Sequence, residues 1–338
     1  MRRHLCSLLV VFASSVLPTS VVLADYPERD INATIPWGAG GITDLVARSV
    51  IPHAEEALGE SIVPQNRPGG GAVIGVNHVR TQRPDGYNIL IGTQDTTLYP
   101  VLGVADFDYD DFTPLNVIGQ GLVVIAVPSD SPFESMGQLV DTVLAQPDTV
   151  RMGDVGVGAT PHITQTIIDS ATEQDFKVRK VTFGGDGPGI TAMLGGHIDF
   201  MPLSLPPAVE YLKSGQIRGL AILSSERIDL LPDVPAITED LPSAERYLPW
   251  GSFQGVFVRK ETPDAIKQTI GDAFEAAIGN PQFVDLYNNK LGGVTLNLRG
   301  EEAREYIDDW QALTSWLLYD VGAAKVSPDE VGIARPDR

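Results

Sequence analysis

Short apolar runs alternate along this chain with longer segments whose apolar residues recur at helical spacing. The runs Ile31 to Pro36, Ile62 to Gln65, Asn88 to Gly92, Leu122 to Val127, Arg151 to Val155, Lys177 to Phe183 and Arg218 to Leu223 read as strands. Between them, Thr43 to Leu58, Val73 to Thr81, Met136 to Ala145, Thr160 to Ser170, Gly189 to Leu194 and Ala208 to Ser214 read as helices. Such βαβ punctuation favours parallel sheets covered by helices on both faces. Pro52 predicts a kink in the first helix, and Gly59 its end. The C-terminal part predicts helices at Pro263 to Gly279, Pro281 to Lys290 and Glu301 to Asp320, each opening on a Pro, Asp or Glu-rich first turn.

The middle of the chain reads as a second α/β unit inserted into the first. The division expected is 25–125 and 252–338 for one lobe and 126–251 for the other. The fold class expected is α/β, two lobes with a cleft at the strand ends, where open sheets bind ligands.

The first 24 residues stand apart. Arg2 and Arg3 precede the apolar stretch Leu8 to Leu17, and Val22-Leu23-Ala24 supplies a small-residue cleavage pattern before Asp25, so residues 1–24 predict a secretory signal peptide and a periplasmic location. Cys6 lies ahead of the apolar stretch, and no other cysteine follows. Without disulfides, the remaining 314 residues must be held by their own core, and they are enough for that. The full chain carries 24 basic and 44 acidic residues. Both leader arginines are lost on cleavage and no acid is, which leaves a net charge of −22. That charge argues against nucleic acid as a partner.

Most catalytic signatures fail on inspection. There is no Gly-x-Ser-x-Gly elbow, no His-Glu-x-x-His and no phosphate loop. Gly187-Pro188-Gly189 is a poor dinucleotide fingerprint, with an awkward proline and no well-spaced acid after it. Asp106, Asp108, Asp110 and Asp111 lack the glycine and closing glutamate of a calcium loop. His53, His78, His162 and His197 show no metal-ligand spacing, and no cofactor is expected.

Glycine-rich loops remain, each just after a predicted strand: Gly38 to Asp44, Gly92 to Thr97, Gly153 to His162 and Phe183 to Gly189. The first reads as a backbone cradle for an anion. Its glycines allow close approach, and Thr43-Asp44 opens a helix whose free amides and dipole favour a negative group. A chain that repeatedly ends strands in Gly and Thr, and lacks a nucleophile and base, is built to hold a small molecule.

In order and spacing, the chain resembles the extracytoplasmic substrate-binding component of tripartite tricarboxylate transporters, the Bug receptors. The resemblance rests on Pro36-Trp37-Gly38-Ala39-Gly40-Gly41-Ile42-Thr43-Asp44, Asn66-Arg67-Pro68-Gly69-Gly70-Gly71, Pro84-Asp85-Gly86-Tyr87 and Gly156-Val157-Gly158-Ala159-Thr160-Pro161-His162. Leu194-Gly195-Gly196-His197-Ile198-Asp199 and Leu231-Pro232-Asp233-Val234-Pro235 extend it. It covers nearly all of the chain after the leader.

The resemblance implies a periplasmic-binding-protein-like clamshell, each lobe a mostly parallel sheet flanked by helices. It also implies a non-enzymatic receptor that delivers a small organic acid or zwitterionic ligand to two integral-membrane permease subunits, most simply as a monomer. The ligand contacts it implies are Trp37, Gly38, Gly40, Gly41, Thr43 and Asp44 in the first loop and Thr93, Gln94, Asp95 and Thr97 in the second. From the other lobe come Asp154, Gly156, Gly158, Ala159, Thr160 and His162, with Gly184 and Ser204 completing the set. Asp95 and Asp154 stand where the family usually has small neutral residues, which disfavours a simple polyanion and leaves room for a monocarboxylate, a zwitterion or a bound cation. Two other readings stay open at this point: an exported enzyme using His162 with Asp154, and a ligand sensor without transport.

Overall fold

The computed structural model describes residues 26–336 apart from Pro249, so the expected leader lies outside the described residues. Among the described residues eleven strands run in chain order: β1 (Ile31–Ile35), β2 (Ile62–Asn66), β3 (Asn88–Thr93), β4 (Phe112–Gly121), β5 (Val123–Pro128), β6 (Arg151–Asp154), β7 (Arg179–Thr182), β8 (Met201–Ser204), β9 (Ile217–Ile222), β10 (Ser252–Arg259) and β11 (Gly293–Arg299).

Two sheets organise the molecule. The first has six strands in the order β11-β4-β10-β3-β1-β2. The second has β5 between β8 and β9, and a Met152 to Phe200 bridge attaches the parallel pair β6-β7 beyond β8. Together they give the two-lobed α/β arrangement. The sheets are nevertheless mixed, where the resemblance implied mostly parallel ones. β1 pairs parallel with β2 and β3, while β10 and β11 enter antiparallel and β5 is antiparallel to both neighbours. Parallel pairing joins β1 to β2 and β3, and β6 to β7, strands that helices connect. Antiparallel pairing appears where the chain passes from one sheet to the other and returns.

The passages are short. β4 ends at Gly121 and β5 begins at Val123, so the change of sheet falls at Leu122, and the division expected at 125 lies inside β5. The return strand β10 starts at Ser252 and lies centrally between β3 and β4. The long helix Gly300–Asp320 holds this second passage: Trp310 Nε1 donates to the Gly251 carbonyl at 3.0 Å, and Trp250 stacks at a tilt on Trp310.

The first helix, Ile42–Leu58, continues through Pro52 without a break. Pro52 sits on its exposed face and Gly59 closes it at φ 74°, donating to the Glu55 carbonyl. Val46, Ala47, Val50 and Ala54 face the six-stranded sheet, and the helix Asp264–Ile278 packs beside them through Ile270, Phe274 and Ala277. On the other face of the sheet a larger apolar core runs without interruption from Leu90 and Val117 to Ile125, Met152, Phe200 and Ile222 of the second sheet. The two halves therefore share one core behind the cleft. Among the described residues no helix is long and apolar enough to cross a membrane.

Candidate functional site

The carboxyl ends of β1, β3, β6, β7 and β8 converge on a small cavity. Its wall is built by Trp37, Gly41, Ile42 and Thr43 after β1, by Thr93, Gln94 and Asp95 at the end of β3, and by Ser252 at the start of β10. From the other half come Val155, Ala159 and Thr160 after β6, Gly185 and Asp186 after β7, and Ser204 of β8. Strand ends place ligand groups here because helices begin directly after them, so side chains and amides of first turns point inward.

Of the residues singled out in the sequence, Trp37, Gly41, Thr43, Thr93, Gln94, Asp95, Ala159, Thr160 and Ser204 are brought together on this wall. The remainder lie behind or beside it. Asp44 pins its own loop: it accepts from the Gly40 amide at 3.0 Å, Arg48 Nε at 2.8 Å and Asn66 Nδ2 at 3.0 Å. The Gly38 amide is committed across the junction to the Gly184 carbonyl at 2.8 Å. The Gly38 and Gly40 amides are thus occupied by protein, and the Ile42 amide serves the Asp186 carboxylate, which narrows the cradle to Gly41 and Thr43.

Thr97 turns back on its own loop, donating to the Gln94 carbonyl at 2.7 Å. His162 Nδ1 accepts from the Gly158 amide at 2.9 Å, which fixes the glycine loop before the helix Thr160–Thr172. Burial and the charge of Lys180 hold this histidine down at a pKa of about 4, so the ring is neutral and serves as a loop anchor. Asp154 is buried but absent from the cavity wall, and burial pushes its carboxyl up against the pull of Lys180. Gly156 and Gly184 line an adjoining cavity with Gly69, Gly70 and Gly71. The Asn66 to Gly71 segment is chiefly a turn, with positive φ at Gly69, Gly70, Gly71 and Ala72 leading into the helix Val73–Arg80.

Asp95 is the best-supported acid on the wall. Trp37 Nε1 donates to Thr93 Oγ1 at 2.9 Å, and Thr93 Oγ1 donates to Asp95 Oδ2 at 2.6 Å. The buried Tyr109 hydroxyl fixes the same strand end by donating to the Thr93 carbonyl at 2.6 Å. Burial still pushes Asp95 up to about 7, with the Thr93 bond opposing and the Asp186 charge adding to the rise. Asp186 is pushed up to about 6 by burial, against the pull of the Ser204 hydroxyl and the Ile42 amide.

Sequence reasoning missed five wall residues: Ile42, Val155, Gly185, Asp186 and Ser252. A usable signal existed for Asp186, an acid directly after Gly184-Gly185 at the first position of a helix. Ser252 had none, because β10 itself was not recognised. Among the described residues no group of three or more His, Cys, Asp or Glu could hold a metal ion. The acidic loop is instead spent on structure, with Asp110 paired to Arg304 and Asp111 to Arg80.

The chain is similar to known proteins in sequence and fold. The sequence profile of the tripartite tricarboxylate transporter family receptor matches residues 46–311. A UPF0065 protein of Bordetella pertussis is 25% identical over 95% of this chain and 97% of its own length. The solved periplasmic binding protein BugD is 26% identical, covers 88% of this chain and 99% of its own, and superposes with a TM-score of 0.81. MatC from Rhodopseudomonas palustris, solved with bound malate, is 23% identical, covers 86% of this chain and 100% of its own, and has a TM-score of 0.77.

Proposed function

This chain belongs to the tripartite tricarboxylate transporter receptor family, and from that premise we propose that it captures one small carboxylate-bearing or zwitterionic molecule in the periplasm and delivers it to a membrane permease of two subunits. The observation that carries this reading is a single cavity walled from both sheets, with Thr43, Gln94 and Asp95 on one side and Thr160, Asp186 and Ser204 on the other. A ligand there touches both halves only when they are closed, and so shifts an open-closed equilibrium toward the closed form. The hinge is the pair of short passages at Leu122 and Gly251. Capture needs no covalent step, and the neutral, loop-bound His162 supports a receptor over an enzyme. Residues 1–24 direct export, and the receptor acts as a monomer.

The test is a thermal-shift screen of the purified protein with mono-, di- and tricarboxylates and amino acids. Saturation at 100 times the dissociation constant stabilises by roughly 2.7 kcal/mol, which raises the melting temperature by several degrees. Turnover of any screened acid, or a folded protein that no member stabilises, would overturn the reading.

A further inference from the structure

We propose that the ligand carries an ammonium group, and that Asp95 from one half and Asp186 from the other grip it between them. This inference rests on the receptor reading above and specifies the charge of the molecule received.

The first observation is the composition of the wall. It includes two carboxylates and no lysine, arginine or histidine. Asp95 is 1% exposed and Asp186 7%, and neither takes part in an ion pair among the described residues. Burying carboxylates without a counter-charge is costly, and the cost is relieved either by a proton or by a cation placed between them. A ligand that offered only carboxylates to this wall would add further like charge.

The second observation is independent of charge. Gln94 Oε1 and Ser252 Oγ are buried on the same wall, each residue 2% exposed, and neither atom has a hydrogen-bond partner. The amide oxygen of Gln94 only accepts, so whatever satisfies it must bring a hydrogen. A carboxylate brings none. An ammonium brings three, which matches Asp95, Asp186 and Gln94 in number. The hydroxyls of Thr43 and Thr160 on the same wall can donate to a carboxylate at the other end of the molecule.

The two acids belong to opposite halves, which gives the pairing a second role. Asp95 follows β3 of the six-stranded sheet and Asp186 opens the helix after β7. An ammonium bound to one alone leaves the other buried against it only on closure. The cation thereby acts as the latch of the closed form, and its absence leaves two facing acids that resist closure.

Calorimetry on the full chain with pairs matched in carbon skeleton tests this: butanoate with 4-aminobutanoate, pentanoate with 5-aminopentanoate, and succinate with aspartate. The aminated member of at least one pair is expected to bind at least tenfold more tightly than its partner. Asp95→Asn and Asp186→Asn, and Asp186→Ser as a second variant at that position, should each weaken that member at least tenfold, with circular dichroism unchanged. The unaminated partner should be unaffected or should bind more tightly to the variants. Unaminated acids that bind the parent as tightly as their aminated partners overturn the ammonium inference and leave the receptor reading standing. Calcium or magnesium chloride that alone stabilises the parent but not the Asp95→Asn variant also overturns it, in favour of a metal. A folded parent that binds no member of any pair but is stabilised by another acid of the wider screen overturns the ammonium inference alone, and one that no member of either set stabilises overturns both readings.

Discussion

The Gly38 amide donates to the Gly184 carbonyl at 2.8 Å, a main-chain hydrogen bond that joins the loop after β1 to the loop after β7 across the cleft. A Cβ on Gly38 would stand 2.9 Å from that carbonyl oxygen, so glycine here is a condition of contact between the halves.

Gly187 offers the cleaner test of closure. A Cβ there would meet the Ala39 carbonyl oxygen at 2.6 Å and the Gly40 carbonyl carbon at 3.2 Å, both main-chain atoms of the opposite half. Within its own helix, Asp186–Leu194, alanine is the better residue by about 0.5–1 kcal/mol. Gly187→Ala is therefore expected to keep or raise the melting temperature while weakening the best ligand of the screen at least tenfold. Small-angle scattering should then find no compaction on adding that ligand. Normal affinity with normal compaction would place the closing contact elsewhere.

Asp44 was read from sequence as a ligand contact, and its hydrogen bonds make it the pin of the first loop. Its carboxylate serves Gly40, Arg48 and Asn66 at once. Arg48 is half exposed, so that ion pair contributes little, and the bonds to the Gly40 amide and Asn66 carry the effect. Asp44→Ala should cost about 1.5–3 kcal/mol in urea unfolding, since it leaves donors without a charged acceptor. A variant as stable as the parent would mean that the loop holds its shape without this carboxylate.

What could be read in the sequence, and what could not, divides along physical lines. β1, β2 and β3 and the helices after β1 and β2 were legible because each apolar run is bounded by glycine or proline, and the first two are followed by helical periodicity. β10 was not, because a central strand buried on both faces shows no alternation: Ser252 to Val258 are all buried. β4 carries Pro114 and Gly119 and two register shifts against β10, which blur its period of two. In the site, the loops were legible and the direction of each side chain was not. Asp95 and Asp154 looked equivalent as acids after strand ends, yet only Asp95 is on the wall. The decisive difference is tertiary, a Trp37 and Thr93 relay that aims one carboxylate and has no counterpart at the other.

Thr43 and Thr160 open helices from opposite halves and meet on one wall. Each hydroxyl is expected to donate to the ligand or to a bridging water, and the loss of one such bond to a charged group costs about 1.5–3 kcal/mol. Thr43→Val and Thr160→Val should then weaken binding by roughly one to two orders of magnitude, by the rule that 1.4 kcal/mol is tenfold. Stability should change little, because shape is conserved. Affinities within a factor of two of the parent would remove both hydroxyls from the set of ligand contacts.

The strongest pH dependence should come from Asp95. Its carboxyl titrates near 7 in the folded protein against 3.8 as the ordinary value, raised by burial. A raised folded pKa means that the folded state binds the proton more tightly, so this contribution to stability is complete below about 3.8 and is lost as pH climbs through 7. Asp186, near 6, acts in the same direction over a narrower window. Other buried groups also titrate, so the parent's own profile is a sum, and the difference between parent and Asp95→Asn isolates this one. Asparagine keeps an oxygen for the Thr93 hydroxyl and loses the charge. The variant should match the parent near pH 4 and exceed it progressively up to pH 8, where the gap is on the order of a few kcal/mol at about 1.4 kcal/mol per pKa unit. A bound ammonium reverses the balance by favouring the ionised acid, so an aminated ligand should bind more tightly at pH 8 than at pH 5 and release protons as it binds. A plain carboxylate should show the opposite slope. Melting curves from pH 4 to 8 and calorimetry in two buffers of different ionisation enthalpy measure both effects. A constant gap between variant and parent across that range would show that Asp95 is ionised throughout, and would remove the expected proton release and pH dependence of ligand binding.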